Sequence, residues 1–344
     1  MTVRPDDPDA DWTEPGVYEV APELYRIPLP LPHDSLRAVN VYAARDGEGL
    51  VLVDSGWALT EARDTLERAL KLLDAGFADV RRFLVTHVHR DHYTLAVALR
   101  RDFGMRVSLG RGEAATLART RDLEFAPWTE FAAQLRRGGA DALARKLVES
   151  VPSDYDRGDW ADPDDWLDPP GEIAMAGGTW QMHPTPGHTQ GHVVFVDPVR
   201  DVMFAGDHVL PRITPSIGFE PAPATLPLAD YLDSLRLVRA LPDRRLLPAH
   251  GPVAPSVHQR VDELIDHHDL RLRQILDAVR AGAGTADEAA RRLRWTRRGC
   301  WLVELDTFSQ CLAVTETMAH LDVLTVAGRL RRTEDDGVRQ YALA

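Results

Sequence analysis

Apolar residues recur along this chain with two periods, and the change from one to the other lays out most of its elements. Short apolar or alternating runs at 17–20, 24–27, 39–43 and 50–53 predict β-strands, with turn-rich stretches at 30–34 and 46–49 among the connections. Residues 60–70 then place apolar side chains three and four apart, the spacing of an amphipathic helix packed on a sheet. The run 80–85, apolar apart from Arg81 and Arg82, predicts a strand ending at Thr86. Three later strand-like runs, before His188, Asp207 and His250, also close on a polar residue. Strands interleaved with helices define an α/β chain.

Residues 1–15, acidic and proline-containing, read as a loose arm. Segment 112–167 is long and largely helical, with Leu123, Phe125, Trp128, Phe131 and Leu135 on one aromatic, apolar face and an acidic end at 154–168. Such a stripe either packs on the domain or forms a lid against substrate, and a lid would make Trp128 a substrate contact. Further on, helices are expected at 264–279, at 285–293 with Thr285 as cap, and at 307–327. A β-hairpin follows, with strands in 328–333 and 338–343 and its turn at Asp335, Asp336 and Gly337. Three helices and a hairpin predict a winged helix, so the chain divides into a main α/β unit, 1–258, carrying 112–167 as an insertion, and a winged-helix-like unit, 259–344.

Composition narrows the partners. With 344 residues and 44% hydrophobic side chains, the chain can build one large core and a smaller one. It shows no leader pattern and no run of about 18 apolar residues, so a cytoplasmic protein with no membrane partner is expected. Two cysteines, Cys300 and Cys311, imply no disulfide framework. The formal net charge is −13, and from Arg260 onward 13 arginines face 14 acidic residues. Phosphate binding needs a basic face, which disfavours nucleic acid despite the local stripe of Arg291, Arg292, Arg294, Arg297 and Arg298. A homodimer is a further role open to the tail.

The chemistry is concentrated in four segments. His87, His89, Asp91 and His92 form an HxHxDH cluster after the 80–85 strand, and His188, Asp207 and His250 each follow a later one. His87 and His89, two apart on extended chain, face the same way, while Asp91 and His92 come where the chain turns over. That arrangement suits two neighbouring ions. Imidazole and carboxylate donors without cysteine favour an open, catalytic site for zinc, with iron or manganese as alternatives. Gly187, Gly206 and Gly251 let the backbone bend beside the later ligands.

With this ligand order the chain resembles the metallo-β-lactamase fold superfamily over roughly residues 17–253. The resemblance implies a four-layer αββα sandwich with the site at its edge. It also implies that His87, His89 and His188 hold one ion, that Asp91, His92 and His250 hold the other, and that Asp207 bridges them. Asp54 stands where the family places a carboxylate that braces the metal loop. The His-His-x-x-Arg run at 267–271 and the helical tail resemble the branch that carries a winged helix after the catalytic domain, with hydroxyacylglutathione and acyl-thioester hydrolases among the near relatives. His192, His183 and His208 are expected to support or line the site rather than ligate, and His267 and His268 to be structural.

Two such ions share a water, lower its pKa and polarise a carbonyl, so a metal-bridging hydroxide is the expected nucleophile, with Asp91 or Asp207 orienting it or relaying its proton. A small-molecule thioester or ester is the expected substrate. The alternatives are a metal-dependent ribonuclease or phosphodiesterase that uses the winged helix, and a metal-binding regulator that reads DNA. Tyr93, in place of the small residues common after Asp-His in the family, either crowds the pocket or packs under its helix, and Arg212 is a candidate contact for an anionic substrate group.

Overall fold

Eight strands of the first half hydrogen-bond in the order in which they occur: β1 (Val3–Pro5), β2 (Val17–Ala21), β3 (Leu24–Pro30), β4 (Ala38–Asp46), β5 (Gly49–Val53), β6 (Val80–Val85), β7 (Arg106–Gly110) and β8 (Asp165–Leu167). A second sheet of five has the order β13-β12-β11-β10-β9, formed by β9 (Gly171–Met175), β10 (Gly178–Pro184), β11 (Val193–Asp197), β12 (Val202–Gly206) and β13 (Arg245–Pro248). These elements come from a computed structural model that describes residues 2–32, 35–122, 127–150 and 157–344.

The period-two pattern explains the layering. Within β5, Val51 and Val53 turn toward the second sheet and meet Trp180, Phe195 and Phe204, whereas Leu50 and Leu52 turn outward. There they meet Leu66 and Leu70 of α1 (Thr60–Leu72) and Leu95 and Leu99 of α2 (Arg90–Phe103). On the far side, Val194, Met203 and Leu246 of the second sheet are covered by Leu228 and Leu235 of α6 (Pro227–Ala240) and Val261 and Leu264 of α7 (Val257–Arg280). The four-layer αββα sandwich is therefore present, and each fully buried Leu or Phe contributes roughly 1.5–3 kcal/mol.

The insertion contains α3 (Ala114–Arg121), α4 (Pro127–Arg137) and α5 (Asp141–Ser150). The described residues of its apolar stripe, Trp128, Phe131 and Leu135, pack in a core of their own. Phe131, Leu135 and Leu147 share one core with Ile275 of α7, Ala290 of α8 (Ala286–Arg291) and Val314 and Leu321 of α9 (Thr307–Val326). Leu123 and Phe125, and residues 154–156 of the acidic stretch, lie outside the described residues. The tail has the expected helices and the hairpin of β16 (Leu330–Asp335) and β17 (Val338–Leu343), with Thr285 accepting the Glu288 N–H as cap. It adds a short pair, β14 (Arg294–Trp295) with β15 (Cys300–Trp301). Helix α7 starts earlier than expected because Ser256 caps it, accepting the Gln259 N–H at 3.0 Å. Both cysteines are free. Among the described residues no helix is long and apolar enough to cross a membrane.

The N-terminal stretch corrects the expectation of a loose arm. β1 pairs in parallel with β2, and Asp6 closes an ion pair of 2.7 Å with Arg26 of β3, both side chains being almost completely buried. A buried guanidinium on a central strand must be neutralised, and the nearest carboxylate comes from the first residues. Charge compensation, invisible in the local pattern, fastens the arm.

Candidate metal centre

Every candidate ligand follows the end of a strand, where the chain has left the ladder and is free to turn. His87 and His89 lie on the link between β6 and α2, Asp91 and His92 in the first turn of α2, and His188, Asp207 and His250 just beyond β10, β12 and β13. Gly187 and Gly206, at φ 134° and 50°, make the bends that bring their neighbours inward. A Cβ on Gly187 would also stand 2.4 Å from Tyr231 atoms, so no larger residue fits this approach.

The donors fall into two groups. In the first, His87 Nε2 and His188 Nε2 each stand 3.0 Å from His89 Nδ1, and Asp207 Oδ2 stands 3.5 Å from His188 Nε2. In the second, His250 Nε2 is 3.3 Å from Asp91 Oδ2 and 3.4 Å from Asp207 Oδ1, while His92 Nε2 is 3.6 and 3.7 Å from the same two oxygens. Donors held about 2.0–2.1 Å from a tetrahedral ion stand about 3.3 Å apart, so each group has the spacing that one ion requires. Asp207 presents one oxygen to each group. His92 Nε2, His250 Nε2 and Asp207 Oδ1 are buried without a hydrogen-bond partner, a cost that a bound cation removes. The residues fit a pair of metal ions.

The remaining imidazole nitrogens are all engaged, which fixes the tautomers. His92 Nδ1 donates to Asp54 at 2.9 Å, His250 Nδ1 to the Ala38 carbonyl at 2.8 Å and His188 Nδ1 to the Ser216 carbonyl at 2.7 Å. His89 Nε2 donates to the Phe219 carbonyl at 3.1 Å, and His87 Nδ1 to Thr86 Oγ1 at 3.1 Å. Each ring thus turns a bare lone pair toward its group, through Nδ1 in His89 and Nε2 in the others. Burial opposes charge on His92, yet Asp54, Asp91 and Asp207 outweigh it and push the imidazole up to about 10. Burial, then the neighbouring His188, lowers His89 to about 3.

Residues 34–250 match the metallo-beta-lactamase superfamily, and residues 272–344 match its metallo-beta-lactamase-like, C-terminal domain. The chain belongs to the metallo-beta-lactamase superfamily. A beta-lactamase domain protein from Burkholderia ambifaria is 29% identical, with a TM-score of 0.76 over 98% of this chain and 99% of that one. Among curated relatives, the beta-lactamase-like protein 2 homolog of Caenorhabditis elegans is 30% identical over 140 residues, 41% of this chain and 45% of its own. The atrochrysone carboxyl ACP thioesterase of Aspergillus fumigatus is 32% identical over 107 residues, 31% of each chain. The chain thus spans less than half the length of these two relatives.

Several other residues of this superfamily member are placed by the same geometry. Asp54 takes a positive φ of 59°, unusual outside glycine, and accepts the Thr86 N–H at 2.8 Å while holding His92. Asparagine tolerates that backbone, so Asp54→Asn isolates the loss of charge. We expect its metal affinity, read by chelator competition, to fall about 10–100-fold; an affinity within twofold of wild type would show that Asp54 does not brace the site. His192 is not among the grouped donors: its Nε2 accepts the Asp207 N–H at 3.2 Å, which aims that carboxylate. His208 is buried against Tyr231, His183 is half-buried on β10, and Arg212 is exposed on the connection between β12 and α6. Tyr93 takes the packing alternative: it is fully buried and its hydroxyl donates to the Ala161 carbonyl at 2.6 Å.

Two buried carboxyl groups escaped sequence reasoning. Glu113, fully buried, accepts the Thr189 hydroxyl beside His188 and the N–H of Val88, between His87 and His89, at 3.4 Å. Glu220 accepts the Gln190 N–H at 3.3 Å, and its neighbour Phe219 supplies the carbonyl that fixes His89. Together they tie three ligand-bearing loops from behind. Burial and then the charge of Glu220 push Glu113 up to about 8, and burial pushes Glu220 to about 7.

Proposed function

We propose that the protein is a dinuclear metal-dependent hydrolase of a small-molecule thioester or ester. The observation that carries this reading is the apolar surface beside the open donors. His89 and Asp91 are partly exposed, whereas His87, His92, His188, Asp207 and His250 are buried, so substrate arrives over the first two. On the His89 side the Phe219 ring stands 6.0 Å away, backed by the buried Phe131 of α4 at 4.9 Å and flanked by the exposed Phe308 of α9 at 5.4 Å. Trp128 extends the wall, 6.2 Å from Phe308. An acyl chain laid on such a surface gains about 0.8 kcal/mol per buried CH₂. The likeness to a fungal carboxyl ACP thioesterase supports the same substrate class.

Two divalent ions, for which zinc suits the donor set, would lower the pKa of a water and polarise the acyl carbonyl. The protein's own part is positional. Asp207 sets the separation of the two donor groups, Asp91 offers the carboxylate nearest the open side to accept the water's proton, and the Phe219 carbonyl couples the wall to His89. In this reading residues 1–258 form the catalytic unit, and a winged-helix-like unit, 259–344, completes its wall through Phe308. The arginine stripe gives the nucleic-acid alternatives little: Arg291 pairs with Asp287, Arg292 donates to the Ala278 and Ala281 carbonyls, and Arg294 donates to the Gly299 carbonyl.

The test is a panel of acyl-CoA, acyl-glutathione, lactone, β-lactam, phosphodiester and single-stranded RNA substrates, with zinc-loaded wild type, His89→Ala and Trp128→Ala. We expect thioester turnover that disappears in His89→Ala, and a KM for long-chain acyl substrates about 5–20-fold higher in Trp128→Ala, the loss of one aromatic contact surface of about 1–2 kcal/mol. Cleavage of RNA alone would overturn the reading, and an unchanged KM with lowered stability would make Trp128 a core residue only.

A further inference from the structure

The same combination of donors recurs once more among the described residues, away from the ligand loops. His267 and His268 are adjacent on α7, Glu316 lies on α9, and one donor atom from each falls within 4.8 Å of the other two. A hydrogen-bond chain settles the state of the central ring. His320 Nδ1 donates to the Glu316 carbonyl at 2.7 Å, which leaves its Nε2 bare to accept the His268 Nδ1–H at 3.1 Å. His268 Nε2 is then a lone pair, and it is buried with no partner. An imidazole held through its other nitrogen, with the free one pointing at nothing, is the form in which histidine ligates a metal.

We propose that His267, His268 and Glu316 form a third metal site, for one zinc-class divalent ion, in the seam between α7 and α9. Two imidazoles and a carboxylate select zinc, cobalt or nickel over magnesium or calcium. The neighbouring cation, Arg271, is held on other partners: its guanidinium lies 4.6 Å over the Trp295 ring and donates to the Arg294 carbonyl at 3.1 Å. Among the described residues no hydrogen bond or ion pair reaches the Glu316 carboxyl, which stands with the two imidazoles as a donor that a cation would engage. Three protein donors leave at least one position to water, so this ion exchanges more readily than one in a closed structural site. Its position is that of a clip, since α9 carries Phe308 while α7 packs on the second sheet.

The experiment is equilibrium dialysis of the full chain against a zinc series, with metal per chain counted for wild type, His267→Ala and Glu316→Gln, and cobalt substitution read by absorption. We expect each variant to bind one equivalent fewer than wild type, to lose one cobalt signal, and to lose part of the zinc-dependent rise in Tm. Glu316→Gln keeps the side chain's shape, so it carries the test should His267→Ala fold poorly. The readout is a difference between chains, so it holds whatever number of ions the catalytic groups take up. Superimposable binding curves for wild type and Glu316→Gln would overturn the proposal.

Discussion

Asp207→Ala is expected to lose at least about 10³-fold in kcat/KM, the equivalent of roughly 4 kcal/mol of transition-state stabilisation, and, on the dinuclear reading proposed above, to retain at most one metal ion. The other six donors each serve one group, whereas Asp207 turns Oδ2 to His188 and Oδ1 to His250, 3.5 and 3.4 Å away. Its removal takes a ligand and a negative charge from both groups at once, and with them the fixed separation on which a shared water depends. His92 also loses one of the three carboxylates that draw positive charge to it. Metal content and steady-state rates on the same preparation decide the matter. A variant that held two ions at full rate would remove Asp207 from the centre of the site.

Glu113→Gln should be more stable than the wild type at alkaline pH, by on the order of 2–4 kcal/mol near pH 9, with no such advantage near pH 5. Its carboxyl is held protonated by the fold, since burial and then the charge of Glu220 raise it from an ordinary value of 4.5 to about 8. Below about pH 4.5 the folded and unfolded chains both carry the proton, and the contribution to stability is complete. As the pH rises through about 8 the folded chain must ionise a buried carboxyl, and that contribution is lost. Glu220, raised to about 7, adds loss in the same direction. Glutamine keeps an oxygen for the Thr189 hydroxyl and the Val88 N–H but carries no proton to lose. Denaturant unfolding of both proteins across pH 5–9 in saturating zinc gives the difference, from which the metal contribution largely cancels. A difference that stays flat with pH would mean that Glu113 is not protonated in the fold.

The candidate ligands were legible as a group because the order strand, bend, donor is local. Val80–Val85 runs into His87 and His89, and glycines precede His188 and Asp207, so a few consecutive residues carry both the position and the chemistry. The supporting contacts were not legible, because they are made by folding rather than by sequence neighbourhood. Glu113 reaches Val88 and Thr189, respectively 25 and 76 residues away, and nothing about a lone glutamate after Gly112 marks it as buried. Phe219 reaches His89 across 130 residues. The arm was misread for the same reason, since Asp6 is fixed by Arg26 on β3. Tyr93 shows the opposite case: adjacency to His92 placed it next to the site in the chain, but the helical turn of α2 sends its ring into the core. Ser256 was legible in principle, as a capping residue three before Gln259, and would have set the start of α7 correctly.

Phe131 and Leu135 of the insertion lie in the same dry interior as Ile275, Val314 and Leu321 of the tail. Neither segment can then be inherited alone. A recombinant that received the 112–167 insertion from one relative and the last eighty or so residues from another would expose mismatched apolar faces at once, even with every metal ligand intact. Exchange between lineages should therefore move the two segments together, leaving paired substitutions across an interval of more than a hundred residues that touch no catalytic atom.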